Sequence, residues 1–184
     1  MTILKTFTSD LSLPRFQFAC KYIFPLSALF LTWGALGNVY TLTLSQKALI
    51  ANRGEVRMIN KQLELGTTQY QQIKYYPIII SLENTSTEFR LRSNFNDWFY
   101  RLQEKIQDGD TITVYTRSSF DALLSWGKKG DVYEIDKNDI VLFPLDAVKE
   151  YNKNQALALG FFASILWALF IAYKFKSNQY SRFA

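Results

Sequence analysis

Histidine is absent from this sequence of 184 residues, and cysteine occurs once, at Cys20. These absences exclude histidine-containing zinc sites, cysteine–histidine pairs and serine–histidine–aspartate triads. A lone cysteine cannot form an internal disulfide, so any folded part of the chain must be stable through packing alone. The eight glycines are scattered, and neither a phosphate-binding loop nor a dinucleotide-binding glycine motif occurs.

Charge is missing from two long stretches of the chain, residues 22–46 and 154–173. At 1.5 Å per residue, about 20 residues of helix cross the ~30 Å hydrocarbon core of a bilayer. Neither stretch has the polar face that an amphipathic globular helix keeps. The pattern therefore predicts one transmembrane helix at 22–44 and a second within 144–173, with the lipid bilayer as a partner. Buried helices of a soluble protein, or a cleaved signal peptide at the first stretch, are the alternatives.

The net charge of +5 resides in the two ends of the chain. The segments 1–21 and 174–184 are basic, whereas 47–153 has equal numbers of basic and acidic residues. Lysine and arginine beside a membrane helix are retained in the cytoplasm, and a long loop is translocated largely irrespective of its charge. We expect a multi-pass protein of a cell membrane, most simply a bacterial inner membrane, with cytoplasmic tails and with 47–153 outside the cytoplasm. The inverted orientation is the alternative, because basic residues also flank the other helix ends.

The stretch 45–143 has the pattern of a small β-rich domain. Alternating, β-branched and aromatic residues predict its strands, at 55–65, 70–82, 88–92, 111–117, 131–136 and 140–143. One helix interrupts them, with Asn94 as its N-cap and Gly109 at its end. Its apolar residues recur at helical spacing, at Phe95, Trp98, Phe99, Leu102 and Ile106. From Pro144 we predict one continuous helix through about 174, so that the domain adjoins a stalk.

The order of three strands, a helix and two or three strands is similar to that of the OB-fold, a five-stranded barrel. The predicted fold class is therefore membrane α plus a small α+β domain, with two transmembrane helices flanking an OB-like β-barrel. A closed barrel would also protect the edges of so small a sheet. An SH3-like barrel and an open α+β sheet are the alternatives.

Four segments carry a resemblance to a group of known sequences, namely NRGEVRMI, YYPIIISL, EFRLRS and IQDGDTITVY. They resemble the strand pattern of uncharacterised bacterial proteins with two transmembrane helices and a small extracytoplasmic β-domain. The resemblance extends over most of the chain. It implies the same architecture here, and it implies no known activity.

Small residues recur every fourth position in the second apolar stretch, as Ala156, Gly160, Ser164, Ala168 and Ala172. Small side chains at this spacing allow helix backbones to approach closely. We interpret them as a helix-packing stripe. Its partner is either the first transmembrane helix of the same chain or the second helix of another copy.

A second candidate site is the connection that contains Phe120, Trp126, Lys128 and Lys129. In OB-like barrels the corresponding loop borders the binding face. An aromatic ring beside two lysines can stack on a ligand, hold an anionic group or rest on lipid headgroups. The alternative is a tryptophan tucked under its own loop beside two solvated lysines.

No catalytic, metal-binding or cofactor-binding residues are predicted. Carboxylates are numerous near the predicted turns, where such residues ordinarily cap and solvate the chain. We therefore expect a non-enzymatic binding or assembly module that acts on another membrane or envelope protein or associates with itself, without nucleic acid. A carboxylate-dependent envelope enzyme or enzyme subunit is one alternative. A nucleic-acid-binding OB domain is the other, if the orientation is inverted.

Overall fold

The computed structural model describes residues 14–67, 72–83, 85–124 and 127–181. Its helices are α1 (Pro14–Phe18), α2 (Phe24–Leu42), α3 (Trp98–Lys105), α4 (Ser119–Leu124) and α5 (Leu145–Ser181). Its strands are β1 (Ile50–Lys61), β2 (Glu64–Thr67), β3 (Gln72–Tyr75), β4 (Ile78–Leu82), β5 (Glu88–Leu91), β6 (Thr111–Thr116), β7 (Val132–Lys137) and β8 (Ile140–Phe143). Tyr40–Tyr151 forms one compact unit, and the chain before and after it forms the other.

Two helical stretches are long and apolar enough to cross a membrane, Phe16–Leu42 and Leu145–Ser177. In the first, a π-helical turn (Ala19–Ile23) joins α1 to α2. In the second, α5 continues without a break to Ser181, where the sequence predicts a helix to about 174. Large apolar side chains remain exposed along both stretches, among them Leu26 and Phe161.

The unit Tyr40–Tyr151 is an α+β fold built on antiparallel strands. Six strands form one sheet in the order β5-β4-β1-β6-β7-β8, and β2 and β3 form a separate two-stranded ribbon. The long strand β1 pairs with β6 through Ile50–Glu55 and with β4 through its second half, with a register shift between Val56 and Met58. Because a bulge increases local bending, β1 can belong to two differently directed parts of the sheet.

The closed barrel predicted from the sequence is wrong, because the sheet is open. One parallel bridge, between Arg90 of β5 and Asp131, is the only described pairing across the gap. The strand β5 is four residues long, and the chain before β7 leaves extended geometry at Gly130, where φ is +86°. A ladder cannot continue through that residue, so the gap is spanned by a contact at one point.

Several predicted boundaries also shift. The predicted first strand begins at Ile50 instead of Glu55. The predicted strand 70–82 is interrupted at Pro77, which has no N–H to donate and whose carbonyl accepts a hydrogen bond from Gln62 N at 3.1 Å. The prediction of Asn94 as a helix cap is wrong, because it lies inside a 3-10 turn (Ser93–Phe95) and α3 starts later.

The apolar residues predicted to face inward do form one core. Phe95, Leu102 and Ile106 are buried, and Trp98 and Phe99 pack against the same cluster. Most of the remaining members come from the sheet and from the start of α5, among them Val56, Ile78, Ile80, Phe89, Leu91, Ile112, Val114, Ile135, Phe143 and Val148. The strand β4 contributes on both faces, since only its Ser81 is half-exposed. This core fixes the sheet whose strands β6 and β7 are joined by the candidate interaction loop.

Candidate functional site

The small-residue stripe of α5 lies only partly toward α2. Ala156 and Gly160 are half-buried, whereas Ser164, Ala168 and Ala172 are exposed. An α-helix turns about 100° per residue, so each four-residue step moves about 40° around the axis. The five residues therefore wind away from any single straight neighbour.

Other residues of α5 make the contacts with α2. Trp167 Nε1 donates a hydrogen bond to Thr32 Oγ1 at 3.3 Å, and Ala163 is buried. A Cβ added at Gly34 would lie 3.2 Å from Leu159 Cδ1, so this glycine permits close approach. An apolar groove of about 300 Å³ lies beside these contacts, lined by Thr32, Ala35, Leu36, Val39, Gly160, Ala163, Ser164 and Trp167.

Three of the four residues predicted for the candidate interaction loop are described, and all three are exposed. Phe120 is 69% exposed, and Lys128 and Lys129 are also exposed, while Trp126 lies outside the described residues. The short helix α4 begins with a reciprocal cap, in which Asp121 N donates to Ser118 Oγ at 3.1 Å. The loop therefore presents an apolar ring and two cations to its surroundings.

A buried carboxylate holds the end of this loop. Asp131 is 4% exposed, and its Oδ2 accepts hydrogen bonds from Lys128 N at 2.9 Å and from Arg92 Nε at 3.1 Å. The Arg92 guanidinium also forms an ion pair with it at 3.1 Å. Among the predicted turn-region carboxylates, Asp131 thus has a structural role.

The strand β5 connects this loop with the ribbon β2–β3. Arg90 N donates to Gly130 O at 2.8 Å, and the Arg90 guanidinium forms an ion pair with Glu64 of β2. A Cβ at Gly130 would lie 2.7 Å from Glu88 O, so only glycine fits this approach. The loop and the ribbon are therefore both linked to one strand through Arg90.

The structure also contains a polar pocket that sequence reasoning missed. Its volume is about 250 Å³, and its lining consists of Arg53, Thr111, Thr113, Tyr115, Asp136, Asn138 and Asp139. The register explains this grouping, since Arg53 pairs with Thr113 and Thr113 pairs with Asp136 across three neighbouring strands. Asn138 and Asp139 close one side from the β7–β8 turn, where both have positive φ.

Burial and charge shape the electrostatics beside this pocket. Burial raises the pKa of Tyr115, and the negative charge of Asp136 raises it further. The Gln46 amide donates to Asp136 Oδ2 at 3.1 Å and also to Glu134. Burial raises the pKa of Glu134, although its Oε2 accepts a hydrogen bond from Leu145 N at 3.1 Å, which acts in the opposite direction.

The Glu134 carboxylate is held by hydrogen bonds from the chain itself. Glu134 is 7% exposed, both of its oxygens accept hydrogen bonds from the chain, and it does not line the pocket. In the part of the chain that the structure describes, no group of three or more metal-ligating side chains occurs.

The alternation of apolar and polar residues along β6 indicates three of the seven residues that line the polar pocket. In the strand predicted at 111–117, Ile112 and Val114 share one face, which places Thr111, Thr113 and Tyr115 on the opposite face. The pairing with Arg53 and Asp136 could not be derived, since it depends on register between strands far apart in sequence.

Comparisons of the chain with family models, curated proteins and solved structures gave no match.

Proposed function

We propose that the chain is a two-pass membrane-anchored, non-enzymatic binding or assembly module that presents its α+β domain outside the cytoplasm. The observation that carries this proposal is the exposure of large apolar side chains along both long helices. Leu26 and Leu157 are 71% and 66% exposed, and Phe161 and Phe175 are similar. Contiguous apolar surface of this extent is rare on soluble monomers and fits a lipid environment.

Charge supports the orientation. The segments 1–21 and 174–184 contain the whole net charge of the chain, and both adjoin the outer ends of the apolar helices. Retention of these basic tails in the cytoplasm leaves the neutral domain on the opposite side of a cell membrane. This arrangement agrees with the resemblance to bacterial two-helix proteins, which stays a prediction.

We propose further that the domain is an open variant of the OB-fold. Apart from the inserted ribbon β2–β3, the strands β1, β4 and β5, then α3, then β6 and β7 follow the order that the sequence predicts for that fold. The Arg90–Asp131 bridge lies where a barrel would close. In this arrangement the ribbon β2–β3 and the loop that contains Phe120 correspond to the two loops with which OB-folds bind ligands.

Binding is favoured over catalysis by what the buried charges do. Asp131 and Glu134 are both held by hydrogen bonds from the chain itself. The side chains left exposed on the loop are suited to contact with another molecule, because an aromatic ring and flexible cations can bind without a reaction. A partner protein of the membrane or envelope is the simplest target.

Cysteine labelling tests the orientation, since Cys20 is the only cysteine and can be replaced by serine. A Lys129→Cys change in that background should react with a membrane-impermeant maleimide in intact cells. A Ser177→Cys change is the matched control, and it should react only after the cells are opened. Labelling of position 177 alone in intact cells would reject the proposed orientation.

Photocrosslinking tests the binding role. A photoreactive phenylalanine analogue at Phe120 should crosslink to one defined protein band. The same analogue at Tyr100 is the control, because this aromatic residue on α3 is exposed to a similar extent, 71% against 69%. Identical products from both positions, or none from Phe120, would contradict a specific interaction through the loop.

A further inference from the structure

The polar pocket has charged groups of both signs that do not pair with one another. Within the described chain, no ion pair of 4.0 Å or less involves Arg53, Asp136 or Asp139. Arg53 and Asp136 are at the two ends of a row, with Thr113 between them. Neighbouring strands are about 4.8 Å apart, so the two backbones are separated by about 10 Å.

A ligand that lies over this row can contact both of its end residues through two adjacent polar groups. Two neighbouring hydroxyl oxygens, each about 2.8 Å from its protein partner, extend over about 8 Å in all. The guanidinium of Arg53 can only donate, and an ionised carboxylate can only accept. A hydroxyl group does both, so one hydroxyl can accept from Arg53 while its neighbour donates to Asp136 Oδ2, which already accepts a hydrogen bond from the Gln46 amide.

The rest of the lining has the same dual character. The hydroxyls of Thr111 and Thr113 and the amide of Asn138 each offer a donor and an acceptor. A strongly charged ligand would meet a like charge at one end of the pocket, whereas a neutral ligand meets none. Hydrogen bonds from ionised groups to neutral hydroxyls are also stronger than neutral pairs.

Size limits the ligand to a small unit. The pocket of about 250 Å³ corresponds to about eight water molecules at ~30 Å³ each. It is smaller than the ~300–1,000 Å³ clefts that bury drug-sized ligands. One sugar ring, with most of its hydroxyls on one side, is of suitable extent.

We propose that this pocket binds a sugar or another small polyol through neighbouring hydroxyl groups, bridged between Arg53 and Asp136. The inference rests on the proposed function, because it gives the binding module a ligand class. The shared chemistry is a pair of adjacent hydroxyls, whether in a free sugar or in a unit of a surface glycan.

Saturation-transfer NMR on the full chain tests the proposal. The chain is placed in phosphatidylcholine nanodiscs, since a sugar-based detergent would compete for the site. The probes are the methyl glycosides of glucose and N-acetylglucosamine, a trisaccharide of N-acetylglucosamine, and glycine as a small zwitterion. Millimolar binding of at least one sugar and weaker binding of glycine are expected.

Variants then locate the binding site. Arg53→Gln should weaken sugar binding at least about fivefold, since it removes a charge-assisted donor. Arg57→Gln is its matched control, because Arg57 is an exposed arginine on β1 that does not line the pocket. Asp136→Asn should act like Arg53→Gln. If Asp136→Asn does not fold, the comparison of Arg53→Gln with Arg57→Gln alone tests the proposal, because Arg53 is exposed and its substitution should leave the fold intact.

The results distinguish a free sugar from a unit of a glycan, and they show whether the pocket binds sugars at all. Binding of the methyl glycosides supports a free sugar, and binding of the trisaccharide alone supports a glycan. Absence of sugar binding, equal binding of glycine, or equal losses in Arg53→Gln and Arg57→Gln would overturn the proposal. If cysteine labelling still places the domain outside the cytoplasm, the proposed function survives that result.

Discussion

At the scale of single residues, two glycines with nearly the same backbone conformation allow the cost of a left-handed backbone to be separated from the cost of a steric clash. Gly109 and Gly130 have φ values of +85° and +86°, and only Gly130 faces a backbone oxygen, at 2.7 Å from an added Cβ. We expect Gly109→Ala to destabilise the domain by about 1 kcal/mol, the cost of a left-handed residue. Gly130→Ala should cost at least about 2 kcal/mol, because the carbonyl of Glu88 must also move.

Denaturant unfolding of the two variants measures this difference. Gly109→Ala serves as the control for backbone strain, so the excess loss in Gly130→Ala reports the approach of the loop to β5. Equal losses would mean that the loop moves away without cost and that the Arg90–Gly130 hydrogen bond contributes little to stability.

Glu134 makes stability depend on pH in the direction opposite to an exposed, ion-paired acid. Burial raises its pKa in the folded state above the ordinary value of 4.5. The unfolded chain therefore loses this proton first as the pH rises, and folding becomes less favourable between the unfolded and the folded pKa. Glu134→Gln should remove that decline, so the free energy of unfolding of the variant should fall less between pH 4 and neutrality.

Asp110 provides the opposing control. A hydrogen bond from Gln107 N lowers its pKa, and its ion pair with Lys137 lowers it further. Its contribution is therefore present above the unfolded pKa and is lost as the pH falls through the folded pKa. Asp110→Asn should flatten the acid side of the profile, and a change of the same sign in both variants would contradict the assignment of Glu134.

At the scale of elements, pattern predicted the type of structure better than its limits. The alternation of EFRLRS and TITVYT was sufficient for β5 and β6 because each strand buries one face. The end of β1 and the ribbon β2–β3 could not be predicted, since Leu63, Leu65 and Ile73 are apolar yet exposed. The ion pair between Glu64 and Arg90, which joins residues distant in sequence, links this ribbon to β5.

The two apolar helices offer a direct test of which glycine faces which neighbour. A Cβ at Gly34 would lie 3.2 Å from Leu159, whereas one at Gly160 has no neighbour within 4 Å. Gly34→Ile should therefore weaken the α2–α5 contact and lower the melting temperature. Gly160→Ile should disturb that contact less, and it should reduce self-association if the small-residue stripe packs against another copy.

Crosslinking in nanodiscs measures the oligomeric state of both variants, and thermal unfolding measures their stability. An unchanged oligomer and an unchanged melting profile in Gly160→Ile would refute any packing role for the stripe. A loss of stability in Gly160→Ile as large as in Gly34→Ile would instead mean that the small-residue stripe packs against α2 of the same chain.

For the whole molecule, the long charge-free segments were the strongest signal, because spanning helices need no long-range information. Closure of the sheet was beyond sequence reasoning, since it depends on whether β5 and the chain before β7 meet over several residues or at Arg90 and Asp131 alone. The polar pocket could not be predicted from the sequence for the same reason. Its charges come from β1, β7 and a turn, and only the register of the sheet brings them together.

Orientation is also a property of the whole chain, and it should respond to the tails more than to the domain. Neutralising the basic tail residues to glutamine should shift the chain toward the inverted orientation, because the basic residues that remain near the helix ends, such as Lys47 and Lys153, are then all on the domain side. The set is Lys5, Arg15, Lys21, Lys174, Lys176 and Arg182. Maleimide labelling at position 129 in intact cells should then fall by about half.

A matched control removes charge from the domain instead. Changing Arg53, Arg57, Lys74 and Lys128 to glutamine removes four positive charges, against six in the tail variant, yet a long loop is translocated largely irrespective of its charge. Labelling at position 129 should therefore remain complete. The opposite result, in which the domain variant inverts and the tail variant does not, would contradict the proposal. It would mean that the basic residues of the domain determine the orientation and that the domain faces the cytosol.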